Sequence, residues 1–125
     1  MRPKTAFLLS QLVLLGSVAS AQFEITADAM RDIEDTTKSL DSNVALKEAK
    51  SAVAEAKELV VFFRQVEGYY ALKPDAADAV GYARKTHELA AQALAAIEAQ
   101  NFDQAGDSVA ALTRSCKTCH DVYKK

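Results

Sequence analysis

Apolar residues recur every three or four positions through most of the chain, and this spacing is the period of an α-helix. Four stripes with this spacing follow one another between residues 30 and 123. They comprise Met30, Ile33, Thr37, Leu40 and Val44; Leu46, Ala49, Val53, Ala56, Val60 and Phe63; Val80, Ala83, His87, Ala90, Leu94 and Ile97; and Ala105, Val109, Leu112, Cys116, Cys119 and Tyr123. Because no sustained run of β-branched residues alternates with polar ones, the pattern predicts an all-α fold.

Polar residues after the first stripe predict where one helix ends and the next begins. Asp41, Ser42 and Asn43 have side chains that cap helix N-termini, so the first helix is expected to be short, from about Thr26 to this point. The apolar pattern of the second stripe fades at residues 68–70, where a glycine precedes two tyrosines. The second helix is expected to end there.

The last two helices have clearer start signals. Pro74 is tolerated in the first turn of a helix, and Asp75 after it can accept hydrogen bonds from the free backbone amides there. Asn101 and Gln104, three residues apart, resemble a capping box at the start of the fourth stripe. Four amphipathic helices joined by short links predict an antiparallel four-helix bundle.

The first 21 residues have the features of a secretory signal peptide. Arg2 and Lys4 precede an apolar run over residues 6–18, and Ala19-Ser20-Ala21 forms a cleavage site of the A-x-A type. The apolar run is shorter than the roughly 20 residues of a membrane span. We therefore expect cleavage after residue 21, a single domain of 104 residues at 22–125 without a membrane span, and a periplasmic location.

Composition narrows the classes of function. The whole chain has 15 basic and 17 acidic side chains, and residues 22–125 have 13 and 17, so the charge predicts no nucleic-acid partner. The part after the signal peptide has neither a Gly-rich phosphate loop nor the pattern of a catalytic nucleophile, and we expect no enzymatic activity. Alanine supplies 21 of the 50 apolar residues in 22–125, which predicts a thin core. Such a core either has room for a bulky group or lets the helices pack closely, and composition alone does not decide between the two.

One motif carries a specific chemistry, namely Cys116-Lys117-Thr118-Cys119-His120. On a helix, the two cysteines and the histidine lie on one face. Each thiol can add to one vinyl group of a haem, giving two thioether bonds, while the imidazole reaches the iron. The pattern C-x-x-C-H is the c-type haem attachment signal. The sequence therefore predicts one covalent haem c, bound by Cys116 and Cys119, with His120 as the proximal iron ligand.

Three other interpretations of the two cysteines are weaker. A thioredoxin-like pair requires a βαβ unit, which the helical pattern does not offer. A structural zinc site needs four ligands, and besides Cys116, Cys119 and His120 the only other cysteine or histidine after the signal peptide is the distant His87. A plain disulfide would suit an exported protein but leaves the adjacent His120 unexplained.

The motif lies near the end of the sequence, with five residues after His120, so a sixth ligand to the iron is expected upstream. The chain resembles the class II c-type cytochromes, the family of cytochrome c prime and its low-spin, methionine-ligated relatives. The resemblance rests on the signal peptide, on four helical segments across residues 22–125, and on a C-terminal motif followed by Tyr123 and Lys124. It implies a four-helix bundle with C-terminal haem attachment.

In the low-spin branch of this family, a methionine early in the first helix binds the iron. Met30 stands at that position and is the only methionine after the signal peptide, so the resemblance implies that Met30 is the distal iron ligand. A core methionine that only fills space is the alternative. Ligation by Met30 would close the iron to exogenous ligands and make the protein a single-electron carrier in the periplasm that contacts other redox proteins.

The cytochrome c prime branch instead leaves the sixth position open behind an apolar residue. On that alternative the haem is five-coordinate and binds nitric oxide or carbon monoxide. Tyr123 is expected to pack beside the haem because of its spacing from His120, and His87 is expected to be a core or boundary residue rather than a ligand. Because bundles of this class often pair through their first two helices, the resemblance also implies a homodimer.

Overall fold

A computed structural model describes residues 22–123 of the chain. This part consists of four α-helices: α1 Ala27–Ala45, α2 Ala49–Ala71, α3 Ala77–Glu98 and α4 Phe102–Tyr123. No β-strand occurs among the described residues, and the all-α prediction is confirmed. The predicted signal peptide and Lys124 lie outside them. None of α1 to α4 combines the length and the hydropathy that crossing a bilayer requires.

The four helices pack as an antiparallel bundle in which each helix contacts two neighbours. α2 packs on α1 and α3, and α4 packs on α3 and α1. Side-chain contacts between α2 and α3 give their relative direction: Glu67 pairs with Arg84, whereas Arg64, three residues earlier, lies beside His87, three residues later. The contacts between α3 and α4 run in opposite directions in the same way. The predicted four-helix bundle is confirmed.

Asn101 caps the start of α4 as predicted, but only one half of the capping box forms, because the Asn101 backbone amide donates to the Ala96 carbonyl at 2.8 Å and not to Gln104. Asn101 Oδ1 accepts a hydrogen bond from the Gln104 backbone amide at 3.2 Å, and Asn101 Nδ2 donates to Gln104 Oε1 at 3.1 Å. The first of these bonds satisfies an amide that a helix start leaves without a partner. At the start of α1, Thr26 Oγ1 accepts from the Ala29 amide at 3.1 Å. These caps fix where α1 and α4 begin.

The predicted boundary between the first two helices is wrong. Asp41, Ser42 and Asn43 do not start a second helix, because α1 continues through them to Ala45. Asn43 Nδ2 donates to Glu55 Oε1 of α2 at 2.8 Å. This side chain therefore bonds to a side chain within a neighbouring helix instead of capping the start of one. The link between α1 and α2 is residues 46–48 only.

The predicted capping role of Asp75 is wrong as well. Asp75 lies in the turn before α3 and has a φ of 62°, in the left-handed region. The residue that directly precedes α3 is Ala76, which makes no side-chain cap. Asp78 in the first turn of α3 accepts a hydrogen bond from the Ala79 amide at 3.0 Å. Asp78 therefore satisfies a free amide, and its negative charge interacts favourably with the positive end of the helix dipole.

Alanine forms much of the hydrophobic core, as the composition predicts. Fully buried alanines occur on α2, α3 and α4, and the larger side chains without exposure include Leu40, Leu59, Ile97, Val109 and Leu112. Small side chains let helices approach closely, and α2 and α3 have the most extensive contact in the bundle. At one end of the bundle this packing opens into a cavity.

Candidate functional site

The cavity lies at the end of the bundle where α1 and α3 begin and where α2 and α4 end. Because successive helices run in opposite directions, these four ends meet. The cavity has a volume of about 530 Å³, within the range of about 300 to 1,000 Å³ for ligand and cofactor pockets. It is lined by Ile25, Thr26, Ala27, Met30, Arg31, Glu34, Phe63, Val66, Tyr70, Tyr82, Ala83, Thr86, Cys116, Cys119, His120 and Tyr123.

All five candidate site residues from the sequence line this one cavity. Four of the five residues belong to α4. Cys116 is the first, and Cys119, His120 and Tyr123 follow it by three, four and seven residues. This spacing puts all four side chains on one face of the helix. Met30 comes from the start of α1 and packs against the hydrophobic core. The structure therefore brings a thioether from one helix together with two thiols and an imidazole from another.

Cys116 and Cys119 are free thiols, and both are partly buried. Burial raises the pKa of Cys116 to about 11, and the neighbouring Cys119 adds to this shift. Burial also raises the pKa of Cys119, with a further contribution from the negative charge of Asp78. Both groups are protonated at neutral pH, whereas a thioredoxin-like pair relies on a lowered thiol pKa. These surroundings do not favour thiol–disulfide exchange.

His87 occupies a different part of the bundle. Among the described residues it is not part of the cavity wall. Its Nε2 lies 3.5 Å from Arg64 Nη2, at the boundary between α2 and α3. The structure does not bring His87 together with the motif cysteines and histidine, as a four-ligand zinc site would require.

Tyr123 connects the last turn of α4 to two other helices. Its hydroxyl donates a hydrogen bond to Asp78 at the start of α3, and its ring lies against Tyr70 at the end of α2, with the ring centroids 5.4 Å apart. The hydrogen bond to Asp78 raises the pKa of Tyr123 to about 12, and the same bond lowers the pKa of Asp78. Tyr123 therefore helps to close one side of the cavity.

The sequence analysis missed two charged residues of the cavity wall, Arg31 and Glu34. Arg31 pairs with Asp28 at 3.3 Å, and Glu34 pairs with Lys38 at 2.9 Å. Glu34 follows Met30 by four residues, and this helical spacing is the signal that could have identified it. Both charges place polar groups beside an otherwise mostly apolar wall.

The arrangement offers the donor atoms and the apolar walls that suit a metal-centred cofactor. Two thiols can form covalent bonds, and an imidazole and a thioether can both bind iron. Phe63, Val66 and Tyr70 of α2 also line the cavity. Phe63 belongs to the second apolar stripe, which predicted that it faces inward but not that it lines the cavity, because only the packing of α2 brings it there. No protein-family model, no curated protein and no solved structure matches this chain.

Proposed function

We propose that the cavity holds one haem c, attached through Cys116 and Cys119, with His120 and Met30 as axial ligands, and that the protein is an exported single-electron carrier. One observation carries this proposal. The motif cysteines and histidine of α4 line the same cavity as Met30 of α1. Met30 precedes the motif by 86 or more positions in the sequence, yet together they supply a complete set of attachment and ligand groups to one cavity.

The cavity fits such a group in size and in character. Its volume of about 530 Å³ is that of a cofactor pocket, and α2 and α3 contribute apolar walls such as Phe63, Val66 and Ala83. Because Cys116 and Cys119 are free thiols, each can add across one vinyl double bond. The sulfur bonds to one vinyl carbon, and the thiol hydrogen goes to the other.

His120 and Met30 would supply one nitrogen and one sulfur to the iron. Haem iron with this ligand pair supplies one-electron redox chemistry, and the thioether raises its potential. Met30 as an iron ligand would keep exogenous ligands away from the iron. This ligand pair is that of an electron carrier rather than of a gas-binding protein, and it accords with the resemblance to the low-spin class II c-type cytochromes.

The surroundings of the motif support electron exchange at the cavity end of the bundle. Cys119, His120 and Tyr123 are half-buried rather than buried, so an attached haem would lie close to the surface there. A redox partner needs only a brief contact at this end, and such contacts bury less than about 1,200 Å².

Haem staining of a denaturing gel tests the covalent attachment. A covalent haem stays with the denatured chain and stains at its position, whereas a bundle with a disulfide and no haem gives no signal. The variant Cys116→Ala/Cys119→Ala is the matched control, since it removes both thiols and must lose the stain. An unstained wild-type chain would overturn the proposal.

Visible spectra with and without carbon monoxide test the ligation. A low-spin spectrum that carbon monoxide leaves unchanged is the result expected from ligation by Met30. A high-spin spectrum with ready carbon monoxide binding would instead indicate the five-coordinate alternative, a protein that binds nitric oxide or carbon monoxide.

Four further expectations from the sequence stay predictions: export by residues 1–21, a periplasmic location, the absence of enzymatic activity and a homodimer. Export is tested by the intact mass of the purified protein. Cleavage as predicted gives a chain that begins at Gln22 and carries the additional mass of one haem.

A further inference from the structure

Two hydrogen bonds to α3 bracket the C-x-x-C-H segment of α4. Ser115, the residue before the first cysteine, has its Oγ 2.6 Å from Thr86 Oγ1. Tyr123, three residues after the motif histidine, donates to Asp78. We call Thr86, Ser115, Asp78 and Tyr123 the α3–α4 clamp.

The bond between Ser115 and Thr86 is buried and has one possible direction. Thr86 is 2% exposed and Ser115 is 7% exposed. Thr86 Oγ1 donates its single proton to the Tyr82 carbonyl at 2.8 Å, so Thr86 accepts and Ser115 donates in the bond between them. The two hydroxyls form an ordered chain from α4 to the backbone of α3, in a place where water does not compete with them.

Further contacts restrain both partners of the hydrogen bond between Tyr123 and Asp78. Asp78 Oδ1 also accepts from the Ala79 amide at 3.0 Å, which fixes the carboxylate on α3. The Tyr123 ring contacts Tyr70 of α2, which limits where the phenol can move. The last turn of α4 is therefore tied to two neighbouring helices.

Together the two bonds fix both the position of α4 along its axis and its rotation. Thr86 and Asp78 are eight residues apart on α3, and Ser115 and Tyr123 are eight apart on α4, which is about 12 Å along each helix. Two contacts eight residues apart restrict the rotation of α4 more than a single contact would. Rotation matters because neighbouring residues differ in direction by about 100° around a helix, so a modest turn would move His120 out of the cavity.

α3, rather than α1, is the helix against which the orientation of α4 is set. α4 packs more extensively on α3 than on α1, the helix that carries Met30. The two candidate iron ligands thus belong to helices that contact each other less, and their relative placement depends on how α4 is held from its other side.

We propose that the clamp residues position the iron ligands. Their two hydrogen bonds hold the last turns of α4 so that His120 and Met30 bind the same iron and the sixth position stays closed. This inference rests on the proposed function, because it concerns the ligands of the haem proposed there. None of the four clamp residues is a ligand in this proposal. Thr86 and Tyr123 also form part of the cavity wall, whereas Ser115 and Asp78, among the described residues, do not, and they act through α4 as positioning residues.

Imidazole binding to the ferric, haem-loaded protein tests the inference, because imidazole must displace Met30. Thr86→Val keeps the side-chain shape and removes the hydroxyl, and it is expected to tighten imidazole binding by about three- to tenfold, the worth of one net hydrogen bond. Tyr123→Phe removes only a donor and is expected to act in the same direction. Thr86→Ser keeps a hydroxyl and Asp78→Asn keeps an acceptor, so both are expected to bind imidazole nearly as the wild type does.

The control variant Ile97→Val separates positioning from a general loss of stability. Ile97 is fully buried near the end of α3 that is far from the cavity. Ile97→Val is expected to lower the thermal midpoint without changing the affinity for imidazole. If Thr86→Val also lowers the midpoint and leaves the affinity unchanged, the clamp only stabilises the bundle and the inference is overturned.

Hydrogen exchange gives a second readout on the same haem-loaded proteins. The amides of residues 116–123 are expected to exchange faster in Thr86→Val than in Ile97→Val. Equal exchange in the two variants would count against the clamp.

The wild-type protein distinguishes the failure of this inference from that of the proposed function. A wild-type chain without covalent haem overturns both. A haem-loaded wild type with a high-spin spectrum overturns ligation by Met30 and, with it, the claim that the clamp keeps the sixth position closed. A low-spin, haem-loaded wild type whose clamp variants bind imidazole unchanged overturns the inference alone.

Discussion

Within the proposed function, Met30 is the residue that decides between an electron carrier and a gas-binding protein. Met30→Leu keeps an apolar side chain of similar volume but removes the sulfur, and Met30→Ala removes both. We expect both variants to change from low spin to high spin and to bind carbon monoxide, because neither side chain can bind iron. Visible spectra of the haem-loaded variants check this, and a low-spin Met30→Leu protein would contradict ligation by Met30.

The stability of the same two variants separates two roles of Met30, its proposed role as an iron ligand and its role in packing. Met30 is half-buried, so Met30→Ala is expected to cost about 1 to 3 kcal/mol, below the roughly 2 to 5 kcal/mol of a fully buried methionine. Met30→Leu changes the packing little and is expected to cost less than about 1.5 kcal/mol beyond the loss of the proposed iron–sulfur bond. Thermal unfolding of the two proteins measures this difference.

His87 gives the opposite expectation. His87→Gln is expected to leave the visible spectrum and the reduction potential unchanged, because the imidazole contacts Arg64 and lies outside the cavity wall among the described residues. His120→Gln is the matched substitution in the cavity and is expected to change the ligation of the iron. An altered axial-ligand spectrum in His87→Gln would mean that His87 binds the iron.

The sequence predicted the residues whose signal is local. Cys116, Cys119 and His120 form a contiguous motif, and the helical period put Met30 on the inner face of its helix. Thr86 had no such signal: its role follows from contact with Ser115, 29 residues away, and only the packing of α3 on α4 produces that contact. Local chemistry can be read along the chain, whereas partners from another helix depend on the tertiary register.

At the scale of the helices, the cap of α4 has a measurable contribution. Asn101→Ala removes the oxygen that accepts from the Gln104 amide and is expected to lower the free energy of unfolding by about 1 kcal/mol. Asn101→Asp keeps an accepting oxygen and is expected to retain most of the stability. Chemical denaturation of the haem-loaded proteins measures both. An unchanged free energy of unfolding in Asn101→Ala would show that the Asn101 cap contributes nothing to stability.

The contact between the first turn of α3 and the last turn of α4 predicts a pH dependence. The hydrogen bond from Tyr123 lowers the pKa of Asp78 below its usual 3.8, so this contribution to stability is complete above pH 3.8 and is lost as the pH falls through the folded-state value. The bond raises the pKa of Tyr123 from 10.0 to about 12, so its contribution is complete below pH 10 and is lost as the pH rises through about 12.

Tyr123→Phe isolates this pair. The difference in unfolding free energy between the wild type and Tyr123→Phe is expected to be constant between about pH 4 and pH 10 and to shrink on both sides of that window. Denaturation curves of both proteins across the pH range measure it. A difference that does not vary with pH would mean that the hydroxyl of Tyr123 does not bond to the Asp78 carboxylate in solution.

Helix boundaries show where local signals are insufficient. The pair Asn101 and Gln104 was predicted as a cap and is one, because both partners lie within a single turn. Asn43 has an equally good capping side chain, yet it bonds to Glu55 of α2. Whether an asparagine caps a helix or bonds to a neighbouring helix depends on which side chains of that helix lie opposite it. The sequence of α1 alone does not contain that information.

At the scale of the whole molecule, the alternation of helix direction creates the site. With four helices and short links, the start of α1 and the end of α4 must lie at the same end of the bundle. A methionine four residues into α1 and a haem motif in the last turns of α4 therefore meet, although they are far apart in the sequence. The fold class, which the hydrophobic pattern predicted, was sufficient to bring these residues together.

The same architecture predicts that the bundle depends on the proposed haem. Apolar cavities cost about 24 cal/mol per Å³, so an enclosed cavity of about 530 Å³ would cost about 13 kcal/mol. The cost in this bundle is smaller than that upper bound, because the cavity opens to water and its wall includes the exposed residues Thr26, Ala27, Arg31 and Glu34. The alanine-rich core elsewhere in the bundle offers little additional volume to compensate.

The haem-free variant Cys116→Ala/Cys119→Ala is therefore expected to keep helical circular dichroism but to lose a sharp thermal transition and dispersed side-chain signals, as loosely packed helical states do. Haem-loaded Met30→Leu is the matched control, because it loses an iron ligand but keeps the cavity filled, and it is expected to unfold cooperatively. Calorimetry of the two proteins decides the matter. A cooperative, native-like transition in the double variant would show that the four helices close the cavity without the haem, and that the alanine core alone specifies the bundle.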